Sequence, residues 1–496
     1  MGALISRYGR PLVVTALLVA ALPSVALAAP AAPTLAGSLS NSVALSGATS
    51  TAVSGDYAYV TGYYSGELTA IDVSNPAAPV IAGSSAPSTA LTNADTVNLA
   101  GGYAFAVSKN RNKAKGSGSN SDGTGNSLTI LDISTNPAQP AIVGTVTDPN
   151  TLFGAYGVAV LGHYAFVASQ GCLGGQPCPS HSVGNSFAVV DISSPGSPKV
   201  VAAIHNNALP APWRSSAALA HATSVAISGN YAYVTAAYND TLTVIDISTP
   251  TSPKIVGVLK DTTNLNFPVD VAVSGQYAYV VDQINTGRVT VVNVSNPTHP
   301  AVVTSLANAA LNGAYRIRIR GDFAYVAASS THAITAVDIS NPLSLRVAAS
   351  YSDATRLNHT TGLDVSPSGA QVITTSPLLS SQLNATYPPF PLQPGGPTVT
   401  GTVSAITLDP FPIAVSIASS SEPPPTTTQT TADFSFGDSD QVAAVQCKLD
   451  GASLGPCTTS TSMSYAALAA SSHTFTVQAV DAAGNIASAS YTWTVT

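Results

Sequence analysis

Seven short segments of this 496-residue chain can be aligned with one another, and they hold most of its candidate chemistry. They read GATS, NADT, GAYG, HATS, FPVD, GAYR and HTTG and begin at residues 47, 93, 154, 221, 267, 313 and 359. Their polar and ionisable members form a candidate ligand-binding set: His221, His359, Asp95, Asp270, Tyr156, Tyr315 and Arg316. The chain has 8 His and only 8% charged residues, so this is a local enrichment. Histidine and aspartate together can transfer protons or bind a polar ligand.

Other chemical motifs are weak. The chain has no HExxH, GxSxG, Walker or GxGxxG pattern, so we predict no catalytic residue set and no cofactor. SNSDGTGN (119–126) could wrap Ca²⁺, but it lacks the acidic density and closing Glu of an EF-hand, and a flexible loop is the better interpretation, so no metal site is predicted. KNRNKAK (109–115) could touch an anionic surface, but a solvated loop is the better interpretation.

A second recurring feature is an aspartate near the end of one strand in most of the repeats. It occurs at five positions: Asp72, Asp132, Asp191, Asp246 and Asp338. Asn293 and Thr407 replace it in two repeats. Asparagine keeps the oxygen that bonds turn backbone but loses the charge, which favours an Asx-type turn over a metal or catalytic ring.

The elements that position these residues repeat along the chain. An aromatic residue opens a YAYV-like segment at six places: Tyr57, Tyr103, Tyr164, Tyr231, Tyr277 and Phe323. The spacing is 46 residues between 57 and 103, 231 and 277, and 277 and 323. Each repeat holds four short β-branched or aromatic strands, as in TSVAIS, YAYVTA, LTVIDI and KIVGVL. A period of this length with four strands predicts a β-propeller blade.

A seventh, degenerate repeat follows, with TGLDVSPSGAQVITTS (361–376) and, after a long insertion, VSAITLDP (403–410). PTLAGSLS (33–40) is similar to the fourth strand of a repeat, so we expect it to complete the seventh blade. PIAVSIAS (412–419) competes for that edge, but we interpret it as the first strand of the next domain.

The phrase YAYV…LTVIDIS-NP-P resembles the signature of the LVIVD-repeat family. The resemblance covers roughly residues 33–410, and six of the seven copies are plain. It implies a β-propeller in a secreted or surface-displayed protein, and the seven repeats predict seven blades, which we assign to 29–411. It brings no catalytic residues that can be mapped onto this sequence.

Residues 412–496 resemble a bacterial Ig-like module. The matching features are VQCKLDGASLGPC, HTFTVQAVDAAGN and a terminal YTWTV, which follow a Pro/Thr-rich segment (419–431). The expected fold is therefore all-β, a seven-bladed β-propeller followed by an Ig-like β-sandwich that serves as a spacer or adhesive unit.

The ends and the cysteines indicate an extracytoplasmic protein. Residues 1–28 read as a signal peptide, with a basic start, a short apolar run and Ala26-Leu27-Ala28 before the cleavage site, although an uncleaved anchor is the rival interpretation. No further apolar run is long enough for a transmembrane segment in the mature chain. The four cysteines form two local pairs, Cys172/Cys178 and Cys447/Cys457, so local disulfides are expected among three possible pairings.

Long insertions share one side of the predicted propeller with the seven short segments. They are 109–126, 170–185, 377–397 and the loop 205–221, which contains Trp213. Elaborated loops on a rigid scaffold usually carry binding, although these loops could be neutral and the polar set could merely hydrate a channel opening.

We therefore expect a non-enzymatic binding protein, secreted or at the cell surface, whose partner is an extracellular protein, a glycan or a cell-envelope component. A net charge of −7 argues against nucleic acid. The alternative is an extracellular hydrolase or lyase that uses the channel mouth, and a purely structural envelope component is a third possibility.

Overall fold

The chain folds into β-sheets arranged as the repeat predicts. The computed structural model describes residues 33–109, 126–171, 185–206, 218–283, 287–367, 371–378, 400–407, 415–419, 421–438, 442–459, 461–481 and 486–496. Within these residues, seven four-stranded antiparallel sheets form the blades of a propeller, and two further sheets, of three and five strands, form a C-terminal unit. The expectation of an all-β, seven-bladed propeller is confirmed.

Blades 1 to 6 each run outward from their first strand in chain order. Blade 1 is β2 (Ala48–Ser54), β3 (Tyr57–Gly62), β4 (Glu67–Asp72) and β5 (Val80–Ser84). Blade 2 is β6 (Ala94–Ala100), β7 (Tyr103–Ser108), β8 (Ser127–Asp132) and β9 (Ala141–Thr147). Blade 3 is β10 (Ala155–Leu161), β11 (Tyr164–Ser169), β12 (Ser186–Asp191) and β13 (Lys199–His205).

The next three blades repeat this plan. Blade 4 is β14 (Ala222–Ser228), β15 (Tyr231–Ala236), β16 (Thr241–Asp246) and β17 (Lys254–Lys260). Blade 5 is β18 (Pro268–Ser274), β19 (Tyr277–Asp282), β20 (Arg288–Asn293) and β21 (Ala301–Ala307). Blade 6 is β22 (Ala314–Arg320), β23 (Phe323–Ala328), β24 (Ala333–Asp338) and β25 (Arg346–Ser352).

Blade 7 is assembled from both ends of the propeller. Its strands are β26 (Gly362–Val365), β27 (Gln371–Leu378), β28 (Thr400–Thr407) and β1 (Thr34–Asn41). β1 pairs antiparallel with β28, from Thr34 opposite Thr407 to Asn41 opposite Gly401. The expectation that an N-terminal strand closes the last blade is therefore confirmed.

The hydrophobic core lies between the blades. Each of seven buried clusters joins two neighbouring sheets, which explains why the second and third strands of a blade are apolar on both faces. Between blades 2 and 3, for example, Val107 and Ile130 pack with Val158 and Val167. The cluster between blades 7 and 1 completes the ring, so every blade is packed on both sides.

The C-terminal unit has two sheets with their own core. One sheet is β29 (Val415–Ile417), β31 (Ala432–Asp438) and β34 (Ser462–Tyr465). The other is β30 (Thr426–Thr427), β36 (Ile486–Val495), β35 (Ser472–Asp481), β32 (Val442–Leu449) and β33 (Gly455–Pro456). Phe434 of the first sheet stacks on Phe475 of the second at 4.3 Å between ring centroids, and Trp493 packs beside them. Two sheets that face each other across an aromatic core form a β-sandwich.

The described residues contain little helix. Two 3₁₀ turns, Ala237–Asn239 and Ala309–Leu311, lie in loops of the propeller. Among the residues that the structure describes, no helix has the length and hydropathy needed to cross a lipid bilayer. The predicted signal peptide, 1–28, lies outside the described residues.

Candidate functional site

A residue with a left-handed backbone precedes the first strand in every blade, immediately before it in blades 1 to 6 and three residues before it in blade 7. Its φ lies between 53° and 73° at all seven positions: Gly47, Asn93, Gly154, His221, Phe267, Gly313 and His359. This conformation favours glycine, and asparagine and histidine enter it more readily than most residues. In blades 1 to 6 its carbonyl accepts a hydrogen bond from the residue after the second strand, as Asn93 does from the Lys109 N–H at 3.2 Å. The backbone conformation of this turn therefore restricts which residues can occupy positions 221 and 359, whether or not a ligand binds there.

Side chains from one blade fasten this turn in the next blade. Asn126 Oδ1 accepts the N–H of Gly154 at 3.1 Å, and Asn185 Oδ1 accepts that of His221 at 2.7 Å. Asp240 and His332 do the same for blades 5 and 7, at 2.9 and 3.2 Å. We call these contacts the inter-blade latches.

A β-bulge redirects side chains at the start of each first strand in blades 1 to 6. The pairing with the second strand shifts by one residue after the first position, for example between Ala94 and Thr96 and between Ala314 and Arg316. A bulge places two successive side chains where a regular strand would place one. It is by this device that Asp95, Tyr156 and Tyr315 extend toward the axis of the ring.

Two of the candidate tyrosines meet across the central channel. The hydroxyl of Tyr156 in blade 3 contacts the hydroxyl of Tyr315 in blade 6. Blades 3 and 6 are three apart in a ring of seven, so these side chains approach from opposite walls. Both are buried, at 4% and 5% exposure. The pair therefore obstructs the channel.

Arg316 adds a second connection across the ring. Its Nη2 donates to Thr96 Oγ1 of blade 2 at 2.8 Å and lies 4.0 Å from Asp95 Oδ1. The guanidinium carbon lies 5.5 and 5.4 Å from the ring centroids of Tyr156 and Tyr315, within cation–π range. Arg316 is thus held by blades 2, 3 and 6 at once.

Lys109 completes this group. Its ammonium nitrogen contacts Asp95 Oδ2 and lies 4.1 Å from the Tyr156 ring centroid. Only 7% of Lys109 is exposed. We call Asp95, Lys109, Tyr156, Tyr315 and Arg316 the channel plug.

Burial controls the protonation of the channel plug. Burial, followed by the neighbouring Tyr315, holds the pKa of Tyr156 well above its usual range, so its hydroxyl stays protonated. Burial and the nearby Arg316 hold the pKa of Lys109 well below the usual value, while its contact with the Asp95 carboxylate opposes that shift. Burial disfavours the charge on Arg316, but Asp270 and the two tyrosines more than offset this and raise its pKa.

Asp270 accepts hydrogen bonds from the first strands of the two neighbouring blades. Its Oδ1 accepts from Ser224 Oγ of blade 4 at 2.5 Å, and its Oδ2 accepts from the Ile317 N–H of blade 6 at 3.0 Å. Asp364 of blade 7 likewise accepts the Val53 N–H of blade 1 at 2.8 Å. The innermost strand of a blade has an unpaired edge, and these carboxylates satisfy part of it. Asp270 therefore lies beside the channel plug with both oxygens engaged in the scaffold.

The two candidate histidines lie outside the channel plug. His221 stacks on Tyr238, with ring centroids 4.1 Å apart and planes at 12°, and burial lowers its pKa to about 3. His359 lies against His332, 5.4 Å between centroids, and burial followed by that neighbour lowers the His359 pKa. The structure thus brings together Asp95, Tyr156, Tyr315 and Arg316, with Asp270 adjacent and each histidine in its own surroundings.

Sequence reasoning missed two charged residues here. Lys109 was assigned to a solvated basic loop, whereas its side chain is buried in the channel plug. Arg318 lies 3.3 Å from Asp270 and 3.9 Å from Asp364. A signal was present for Arg318, because RIRIR (316–320) places alternate arginines on one side of a strand. No comparable signal marks Lys109.

The recurring aspartates behave as the sequence predicts. Their Oδ1 atoms accept the backbone N–H of the residue two positions on, at 2.7–2.9 Å: Asp72 from Ser74, Asp132 from Ser134, Asp191 from Ser193, Asp246 from Ser248 and Asp338 from Ser340. Asn293 accepts from Ser295 in the same way at 2.9 Å. The Asx-turn interpretation is confirmed.

Of the two expected disulfides, Cys447–Cys457 is present. The other pair, Cys172 and Cys178, lies outside the described residues. So do Trp213 and most of the four long insertions.

Solved structures with a similar fold are remote in sequence. A Pseudomonas aeruginosa periplasmic gluconolactonase is 18% identical, with 64% of this chain and 88% of that chain covered and a TM-score of 0.49. A Lactobacillus plantarum protein is 16% identical, with 66% and 86% covered and a TM-score of 0.48. A functionally unknown protein from Desulfotomaculum acetoxidans is 14% identical, with 59% and 83% covered and a TM-score of 0.44. No curated protein matches the sequence significantly.

The repeat itself matches a family model. The LVIVD repeat matches residues 46–86, 123–148, 154–173, 182–204, 220–261, 269–307 and 313–353. These segments fall on blades 1 to 6, and the degenerate blade 7 lies beyond them. Because the matched phrase coincides with the strands and turns that build each blade, this chain is an LVIVD-repeat β-propeller protein.

Proposed function

We propose that this protein is a secreted or cell-surface binding protein whose partner docks on the loop face of the propeller. By loop face we mean the side that carries the loops before each first strand and between each second and third strand. The single observation that carries the proposal is the channel plug. Its side chains engage one another across the ring and are 2–7% exposed, which leaves a closed floor rather than an open channel. A closed floor framed by loops suits a partner that binds a surface.

The candidate partners are an extracellular protein, a glycan or a cell-envelope component. We also propose the division expected from the sequence, with the propeller in 29–411 and an Ig-like spacer in 412–496. In this arrangement the rigid ring presents the loops.

A specific observation favours a second function. A buried amine whose pKa is depressed, in contact with a carboxylate, is a pairing that can transfer protons in a hydrolase or lyase. Lys109 and Asp95 would then act on a substrate that enters the channel mouth. Their low exposure and mutual contacts support the binding function instead.

Asp95→Asn distinguishes the two functions. Binding of the full chain to purified neutral polysaccharides, soluble peptidoglycan fragments and extracellular matrix proteins is measured by biolayer interferometry. Turnover of chromogenic glycoside and ester substrates is measured in parallel. Because Asp95 is 3% exposed, a docked partner does not touch it, and D95N should bind within about threefold of the unchanged protein.

An enzyme would give a different result. Loss of a proton-transfer group lowers turnover by about 100-fold or more, so turnover that D95N abolishes would overturn the binding proposal. Thermal unfolding of D95N serves as the folding control. The absence of binding to every member of the panel would also count against it.

A further inference from the structure

One aromatic side chain stands out on the loop face. Tyr238 is 38% exposed, and among the described residues no other Phe, Tyr or Trp side chain is as exposed. It lies between blades 4 and 5, stacked on His221 and 5.9 Å from the ring centroid of Phe267. An aromatic ring in this position makes a large contact area available at low entropic cost, because it has few rotatable bonds.

The backbone holds Tyr238 in place. It belongs to the 3₁₀ turn Ala237–Asn239, whose first residue donates to His221 O at 3.0 Å. The Tyr238 N–H donates to Ala220 O at 3.4 Å. The turn ends at Asp240 in the left-handed conformation, and Asp240 in turn accepts the Phe267 N–H at 2.9 Å. The ring and its two aromatic neighbours are therefore positioned before any ligand arrives, which reduces the entropic cost of binding.

Blade 1 shows why this tyrosine protrudes. Tyr64 occupies the equivalent position, and its N–H donates to Ser46 O at 3.1 Å as that of Tyr238 does to Ala220. The residue beneath Tyr64 is Gly47, and a Cβ placed there would lie 2.6 Å from the tyrosine ring. Tyr64 can therefore pack directly against the backbone of Gly47 and is half-buried. The Tyr238 ring packs against the imidazole ring of His221 instead and is more exposed.

The surroundings of Tyr238 select the chemistry of a ligand. Asp240 and Asp261 are both half-buried, and a backbone hydrogen bond of 3.0 Å from Asp261 N to Asp240 O brings the two residues together. Asp240 Oδ1 accepts the Phe267 N–H, and both oxygens of Asp261 accept from Thr263 or Asn264, so the scaffold orients these carboxylates. Carboxylates accept hydrogen bonds from hydroxyl groups and repel anions. The flat face of a pyranose ring carries C–H groups that pack on an aromatic ring, while its hydroxyl groups bond to acceptors around the edge. A neutral sugar satisfies both parts of this surface.

We propose that Tyr238, supported by His221 and Phe267, is the stacking platform of a subsite for neutral glycans between blades 4 and 5. The proposal rests on the proposed binding function and names its ligand class. It also gives His221 a role that the channel plug does not, namely to raise and orient the tyrosine ring.

The test is isothermal titration calorimetry of the full chain with neutral hexaoses of glucose, mannose, xylose and N-acetylglucosamine. A heparin hexasaccharide serves as the anionic probe. We expect at least one neutral hexaose to bind, Tyr238→Ala to weaken its affinity at least tenfold, and Tyr238→Phe to keep it within threefold. Tyr64→Ala is the matched control at the equivalent position and should leave the affinity unchanged. Thermal unfolding of each variant verifies folding.

Other results would overturn the inference, and they differ in what they mean for the proposed function. Hexaose binding that Tyr238→Ala leaves intact would overturn the location, and preferential binding of the heparin hexasaccharide would overturn the ligand class. If no hexaose binds while a protein of the interferometry panel does, the glycan inference fails and the binding function stands. If nothing binds in either experiment, both fail.

Discussion

His221 occupies a position that disfavours its own charge. The side chain is 4% exposed, and burial, followed by repulsion from Lys109, lowers its pKa to about 3. In the unfolded chain a histidine titrates near pH 6.5. Between these two values the unfolded state binds a proton that the folded state refuses, so the free energy of unfolding falls as the pH falls from about 6.5 toward 3.

The variant His221→Asn should remove much of this dependence. Asparagine is native at the equivalent turn position, Asn93, so the left-handed backbone is kept. Between pH 7.5 and pH 5.0 the unchanged protein should lose about 2 kcal/mol of stability through this histidine, since one pKa unit corresponds to about 1.4 kcal/mol. Urea unfolding at both pH values, in the variant and the unchanged protein, measures the difference. Equal losses in the two proteins would contradict the assignment.

At the residue scale the sequence predicted which residues lie near the channel better than it predicted which of them are in contact. Asp95, Tyr156 and Tyr315 converge because the repeat places them at equivalent positions of the inner strands, and Arg316 is the next residue after Tyr315. The histidines do not join them, since both lie in the turn that precedes the first strand. The sequence contained a signal for this turn, because three of the seven aligned residues are glycine and one is asparagine, which favour a left-handed backbone. The place of Lys109 in the channel plug could not be predicted from the sequence, because its burial depends on contacts with other blades.

The outer strands of the propeller approach the next blade at glycine. A Cβ at Gly144 of blade 2 would lie 2.1 Å from Pro195 O, and one at Gly257 of blade 4 would lie 2.2 Å from Pro297 O. Both carbonyls belong to the proline turn of the following blade, which precedes its fourth strand. Glycine is thus required in these strands for close backbone contact, not for an unusual φ.

Gly144→Ala should destabilise the propeller by about 1–3 kcal/mol, as is typical when a packed interface must move to admit a methyl group. Gly196→Ala is the matched control, because its nearest contact is a single atom at 3.6 Å. It should change stability by less than about 0.5 kcal/mol. Denaturant midpoints of the two variants make the comparison. Similar midpoints would show that the blades adjust at no cost.

At the element scale the sequence predicted the strands, but it did not predict the inter-blade latches. The period and the β-branched runs gave the four strands of each blade, and the Asx turns followed from the Asp-to-Asn replacement at position 293. The inter-blade latches did not follow, since Asn126, Asn185, Asp240 and His332 share no single residue type. What they share is an acceptor atom at one place, which the fold alone identifies.

The whole ring depends on a strand from the beginning of the chain. β1 supplies the outer strand of blade 7, and Leu35, Ala36 and Leu39 pack against the clusters on either side of that blade. Without it, β28 would present an open edge.

A chain that lacks residues 33–41 should therefore unfold at a temperature lower by roughly 5 °C or more and should associate through the open edge. A chain that begins at residue 32 is the control. Scanning calorimetry and light scattering measure the two effects, and a synthetic peptide of residues 33–41 should reverse both by adding back the strand. An unchanged melting temperature would show that three strands suffice to close the ring.

The channel plug has a consequence for how this ring could change over evolutionary time. In a propeller whose blades touch only their neighbours, duplication or loss of one repeat leaves each remaining contact intact. Here Tyr156 meets Tyr315 and Arg316 meets Thr96, which ties blade 3 to blade 6 and blade 6 to blade 2. An added or deleted blade would separate these partners and leave buried polar groups unpaired. The contacts between side chains at the axis therefore depend on the number of blades, and they favour a ring of seven.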